Sequence, residues 1–282
     1  MRWLALRAIA PNAPARDRAV AALIGAGAAG VEEVGDALVS YLPADADVSA
    51  LTLAIEGMRD GTSLEVTELG EVDWTGRWVT AVGIQRLGVL TVAPPWLADE
   101  ARAAQHGRNA APVIVIDPAM AFGTGEHATT RGMLRLMQRV LRPGDRVADL
   151  GAGSAILSIA ACRLGAAWAA AIELDPDAIG NAEENVARNG VGGSVVVLNG
   201  DAEILISLVA PVRVVLANII SSTIRRLLPV IRPALEATGQ AILSGILVAE
   251  RAEMLDVVDR EGWDVQAEDR EEEWWSILIA PK

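Results

Sequence analysis

Two glycine-rich stretches about twenty residues apart hold the residues whose types and spacing can do chemistry: "DPAMAFGTGEHATT" (117–130) and "ADLGAGSA" (148–155). The first sets the only phenylalanine of the chain, Phe122, beside Gly123-Thr124-Gly125. Two such turns at this spacing suggest one ligand approached from two sides. Gly151-x-Gly153 closes an apolar run and opens a helical one, a tight strand-to-helix turn where missing Cβ atoms let a ligand reach the backbone. The third glycine of a dinucleotide fingerprint is absent, since Ile156 stands there, and this weakens a nicotinamide reading. Glu173 ends the next strand about twenty residues on, where an acid can take both ribose hydroxyls and disfavours a 2′-phosphate. Taken alone it is an ordinary strand-end acid; paired with the glycines it favours a ligand with a free ribose. Asp201 in "NGDAE" ends the third strand and either accepts from an adenine amino group or is a plain loop acid. Asn218 in "ANII" ends the fourth and offers a carbonyl acceptor that can orient amine hydrogens, against the alternative of a structural strand-end amide.

Other chemistries are excluded by what the chain lacks. Its only lysine is Lys282, so there is no phosphate-loop lysine and no Schiff base. Cys162 is the sole cysteine, which rules out an internal disulfide and a multi-cysteine metal site. His106 and His127 cannot form a three-histidine centre, and no carboxylate cluster has metal-loop spacing, so no metal is expected. His127 is a candidate proton acceptor or a capping residue. Thr129 or Thr130 is expected to cap the helix "RGMLRLMQRVL". A net charge of −13 argues against direct nucleic-acid binding; it suits a basic partner, or only keeps the protein soluble. No run approaches the ~18 apolar residues of a membrane span and no signal peptide is legible, so a cytoplasmic protein without membrane contact is expected.

The elements that must position these residues fall into two parts. Through residue 96 the order is strand, helix, a hairpin turning at Gly35-Asp36, helix, strand: the split-βαβ, ferredoxin-like arrangement. Residues 97–111 are polar and alanine-rich and read as a linker, partly helical. From 112 to 282 apolar strands alternate with helices, which implies a mostly parallel sheet covered on both faces. Asp175 reads as the N-cap of a helix beginning at Pro176 and stopped by Gly190. "SVVVLNGDA" and "VRVVLANI" read as two strands in succession, and "STIRRLLPVIRPALE" is a helix before the strand "QAILSGI". Ligands on such sheets sit at the carboxyl ends of the strands, where all four chemistry-bearing turns lie.

"D-x-G-x-G" with an acid ending the second strand resembles the class I S-adenosylmethionine-dependent methyltransferases. "AFGTGxHxTT", "ANII" and an N-terminal part finishing in "APPW" sharpen this to a resemblance to the ribosomal protein L11 methyltransferases, over nearly the whole chain. The resemblance implies an α/β fold: a Rossmann-like class I methyltransferase domain with a seven-stranded, mostly parallel sheet, preceded by a small ferredoxin-like α+β domain. It implies S-adenosyl-L-methionine as cofactor, contacts from Thr129, Gly151, Glu173 and Asn218, and Phe122 beside the ligand. "FGTG" would then fold over the methionine end of a cofactor held by "GAG". The activity implied is methyl transfer to lysine side-chain and/or N-terminal amines of a large-subunit ribosomal protein. Asn218 is similar to the asparagine of the Asn-Pro-Pro-aromatic motif of amine methyltransferases with the prolines lost. The chain departs from the family in Ala155, where glycine is common after Ser154, in Glu173 for the usual aspartate, and in "DWTGRWVTAVGI", which lacks the lysine and polar residues that usually follow the second tryptophan. Two alternatives remain open: a methyltransferase of similar fold acting on another protein or small molecule, and an inactive cofactor-binding adaptor.

Overall fold

The computed structural model describes residues 3–28, 31–34, 37–43, 46, 48–58, 60–69, 82–104, 111–118 and 123–282. The chain divides into two compact units, Met1–Arg77 and Trp78–Lys282.

In the first unit β1 (Trp3–Ile9), α1 (Ala13–Gly25), β2 (Glu32–Val34), β3 (Ala37–Pro43), α2 (Ser49–Gly57) and β4 (Ser63–Leu69) follow the expected order. The sheet runs β2-β3-β1-β4 with every pair antiparallel. Strand alternation puts Leu6, Ala8, Leu38 and Leu42 on one face, where they bury Ala19 and Leu23 of α1 and Leu51 and Ile55 of α2. Asn12 starts α1 by accepting the amide of Ala15 at 3.0 Å. The turn expected at Gly35-Asp36 lies outside the described residues.

The second unit opens with the hairpin β5 (Gln85–Leu87) and β6 (Leu90–Ala93), then α3 (Ala98–Ala103) and β7 (Val113–Val115). Residues 85–93, counted with the N-terminal part in the sequence reading, form an antiparallel hairpin whose β6 pairs in parallel with β7, and they belong to this unit. All four β6 residues are buried, and Ala98 and Ala101 of α3 are buried too, so part of the expected linker packs as structure.

The rest is an alternating α/β sheet: α4 (Ala128–Val140), β8 (Arg146–Leu150), α5 (Ile156–Arg163), β9 (Trp168–Glu173), α6 (Pro176–Arg188), β10 (Val195–Asn199), α7 (Ala202–Val209), β11 (Val212–Asn218), α8 (Ser221–Ala234), β12 (Leu235–Leu247), α9 (Arg251–Arg260), β13 (Trp263–Glu271) and β14 (Trp274–Pro281). The strand order is β10-β9-β8-β11-β12-β14-β13, parallel except for β14, which is antiparallel to both neighbours. Apolar layers cover both faces, with Leu134, Met137, Leu157 and Ile159 on one side and Ile224, Leu228, Ile231 and Met254 on the other. Because the chain runs outward from β8 to β10 and then returns to β11, the strand order reverses between β8 and β11. A crevice opens there at the carboxyl ends of the strands.

Two local expectations are corrected. A helix, α7, lies between β10 and β11 where two strands were read in succession; Asp201 starts it by accepting the amide of Glu203 at 2.9 Å. The strand after α8 begins at Leu235, already paired with Val212, rather than near Gln240. Among the described residues no helix is long and apolar enough to cross a membrane.

Candidate active site

The crevice is a cavity of about 540 Å³ lined by the ends of β8, β9, β11 and β12, the first turn of α4, and Trp274 of β14. That volume suits a nucleoside-sized ligand. Its floor is the turn after β8. Gly151, Gly153 and Ala155 have φ of 73°, 51° and 62°, the left-handed region that glycine enters freely and alanine does not. A Cβ on Gly151 would fall 2.5 Å from Cγ2 of Ile219, so this glycine admits the neighbouring strand end as well as a ligand.

The two glycine-rich stretches meet. Ser154 Oγ donates to the carbonyl of Gly123 at 2.7 Å, and a Cβ on Gly123 would fall 2.8 Å from that same oxygen. Gly125 lies against Val92, where a Cβ would approach to 2.9 Å. Both glycines have positive φ, 108° and 91°. Phe122 lies outside the described residues.

Glu173 is pinned by backbone donors: Oε2 accepts the Gly153 amide at 2.8 Å and Oε1 the Asp175 amide at 2.9 Å. The carboxylate thus braces the glycine turn against the end of β9, and each oxygen keeps a further lone pair for a hydroxyl donor. Beneath the turn Asp149 is fully buried. Its Oδ2 accepts the amide and hydroxyl of Ser158 at 3.1 and 2.8 Å, and its Oδ1 has no partner. Burial pushes its carboxyl from 3.8 up to about 7; the two bonds from Ser158 pull the other way and the nearby Glu173 charge adds to the rise.

Across the pocket, His127 and not a threonine caps α4. Its Nδ1 accepts the Thr129 amide at 3.4 Å and meets Thr129 Oγ1 at 2.7 Å, and both threonines become buried first-turn residues. The imidazole packs edge-on against Trp274, centroids 4.9 Å apart. Asn218 Nδ2 donates to Thr130 Oγ1 at 3.4 Å, while Asn218 Oδ1 is buried without a partner. Its loop is clamped from below: the Ile219 amide donates to the Ser244 carbonyl at 3.1 Å, and the space a Cβ would need on Gly245 is taken by the Ile219 carbonyl.

The sequence-derived residues Thr129, Gly151, Gly153, Glu173, Asp201 and Asn218 all line this one cavity. Sequence reasoning missed Thr130 as the partner of Asn218, Gly245 and Trp274. The glycine in "LSGI" was the only available signal, since a strand glycine marks close backbone approach. No group of three or more potential metal ligands occurs among the described residues.

Residues 10–282 match the family described as ribosomal protein L11 methyltransferase (PrmA). The chain belongs to the ribosomal protein L11 methyltransferase family. It is 35% identical over 253 residues to the ribosomal protein L11 methyltransferase of Exiguobacterium sp. (strain ATCC BAA-1283 / AT1b), covering 86% of this chain and 78% of the relative. The enzyme of that name from Symbiobacterium thermophilum is 35% identical over 262 residues, covering 86% and 79%. The crystal structure of the ribosomal protein L11 methylase from Lactobacillus delbrueckii subsp. bulgaricus superposes with a TM-score of 0.60 at 27% identity, over 71% of this chain and 99% of that one. Membership in this methyltransferase family agrees with the Rossmann-like sheet and with the expected enzyme class.

Proposed function

We propose that this family member transfers methyl groups from S-adenosyl-L-methionine to lysine side-chain and/or N-terminal amines of ribosomal protein L11 in the cytoplasm. The observation that carries the reading is Asn218: an unpartnered, buried carbonyl oxygen beside a glycine turn that an acid braces from the next strand. The residues fit the cofactor in that Gly151, Gly153, Glu173 and Asp201 line one cavity; on this reading the two glycines cradle it, Glu173 takes the ribose hydroxyls and Asp201 the adenine amino group. When bound, S-adenosylmethionine supplies an electrophilic methyl group on a sulfonium. The chain contributes alignment and dryness. An amine must be neutral to attack, and a free lysine with a pKa of ~10.4 is almost wholly protonated at neutral pH. Walls formed by Ile156, Leu157, Ile219 and Ile220 disfavour the ammonium form. Asn218 Oδ1 accepts an N–H of the neutral amine and turns its lone pair toward the methyl group.

The first unit holds none of the pocket residues, and we assign it to recruiting the substrate. A net charge of −13 suits a basic ribosomal protein. Incubation of the full chain with labelled cofactor and purified L11 should place label on L11 amines. Label on another acceptor alone would favour the broader methyltransferase reading, and binding without turnover the adaptor.

A further inference from the structure

Resting on the reading of the cavity as a cofactor site, we propose that Asn185 is a positioning residue that closes the two glycine-rich stretches onto one ligand, acting through Ser154 and Asp117. Asn185 lies in α6, away from the cavity lining, and is fully buried. A carboxamide so placed needs its polar atoms engaged, and here its partners come from both stretches. Its Oδ1 accepts the Asp117 amide at 2.8 Å and Arg188 Nη1 at 3.1 Å. Both of those groups can only donate, so they must face the oxygen. Nδ2 is left to the carbonyls of Ser154 and Asp117, at 3.3 and 3.4 Å, with Asn181 Oδ1 a third neighbour at 3.3 Å.

Ser154 completes a ring. Its Oγ donates to the Gly123 carbonyl at 2.7 Å, while its own carbonyl takes the Asn185 amide group. Asp117 and Gly123 of the first stretch are therefore both fastened to Ser154 of the second, one through Asn185 and the other directly. Ser154 also follows Gly153, whose amide Glu173 holds from the next strand. A shift at Asn185 thus moves the floor of the cavity and the stretch that approaches it from the other side. Asn189, one turn further along, carries out the same mechanical task without this link. It too is buried, and it engages the amide and carbonyl of Val115 at 2.8 and 2.7 Å and the Asn185 carbonyl at 2.8 Å. Those bonds tie β7 to the helix but reach neither Ser154 nor Asp117.

In the full chain, Asn185→Ala should raise the Kd for S-adenosylmethionine about tenfold or more by calorimetry, because the support of the site is lost. Asn189→Ala should lower Tm yet leave that Kd within about twofold of wild type, since its partners lie outside the ring. Hydrogen exchange supplies a readout that needs no ligand: amides of residues 123–126 should exchange faster in Asn185→Ala than in Asn189→Ala. Should Asn185→Ala fail to fold, Ser154→Ala opens the ring at its other joint and should move both readouts the same way. Combined in one chain, the two substitutions should lose less affinity than the sum of the single losses, because both open one ring. Wild-type affinity in Asn185→Ala or in Ser154→Ala, equal losses in the Asn185 and Asn189 variants, or fully additive losses in the pair would each overturn the assignment and leave the reading of the cavity standing. A wild-type chain that does not bind S-adenosylmethionine would overturn that reading instead, and the exchange comparison would still decide the role of Asn185.

Discussion

Asp149 and Asn218 sit near the ends of neighbouring strands, β8 and β11, and each buries a side-chain oxygen without a partner. Among the described residues no other side-chain oxygens are so placed. The difference lies in charge and surroundings. Asn218 is neutral and lines the cavity, so its unsatisfied oxygen costs on the order of 1–3 kcal/mol and stays available to a donor. Asp149 is sealed beneath the turn, where an unsatisfied carboxylate oxygen is expensive enough to hold a proton instead. On the proposed function, the same defect serves chemistry in one place and pH dependence in the other.

The largest effect expected concerns Asp149. Its folded value of about 7 lies above the ordinary 3.8, so the native state keeps a proton that the unfolded chain has released. The stability this gives is complete below about pH 4 and is lost as pH rises toward 7, by up to about 4 kcal/mol. Asp149→Asn retains an oxygen for Ser158 and has nothing to titrate. Its unfolding free energy relative to wild type should therefore improve steadily from pH 5 to pH 8 in denaturant titrations. A difference that does not change with pH would remove the contrast between the two oxygens.

Next is the other oxygen itself. Asn218→Ala should cut kcat about 100-fold, a loss of orientation, with a smaller rise in cofactor Kd than that caused by removing Glu173. Full turnover in this variant would reduce Asn218 to a strand-end amide, equivalent in role to its neighbour.

Glu173 connects the two sites, since it braces Gly153 and raises the Asp149 carboxyl. Glu173→Ala should weaken cofactor binding at least tenfold by calorimetry, given that hydrogen bonds to charged groups contribute about 1.5–3 kcal/mol each. It should also shift the Asp149 titration downward, because one like charge is gone. Unaltered affinity would confine Glu173 to holding the turn.

Much of this arrangement was legible in the sequence, for local reasons. Strand ends on an open parallel sheet face one crevice, so Glu173, Asp201 and Asn218 could be placed by their position in the α/β rhythm. Positive-φ turns leave glycines behind, and Gly123, Gly125, Gly151 and Gly153 all have that conformation. What escaped depends on partners distant in the chain. The pairing of β6 with β7 spans the stretch read as a linker, and no local pattern encodes it. The helix α7 is only eight residues, too short and apolar for its period to separate from a strand. Histidine is not among the preferred N-caps, which is why the cap of α4 was assigned to a threonine.

The smallest effect expected is at Ala155, the departure from the family's glycine, in the turn between the two strand ends. Its φ of 62° strains an alanine by roughly 1–2 kcal/mol, which glycine would relieve. Against this, glycine adds unfolded-state freedom of about 0.5–1 kcal/mol. The methyl group is also fully buried among Leu157, Ile159 and their neighbours, and losing it costs about 0.8 kcal/mol more. These terms nearly cancel, so Ala155→Gly should change stability by less than about 1 kcal/mol and Tm by less than roughly 4 °C. Ala155 does not line the cavity, and cofactor Kd should hold as well. If glycine instead tightened cofactor binding tenfold, the alanine would be distorting the cradle, and the adaptor reading would gain support.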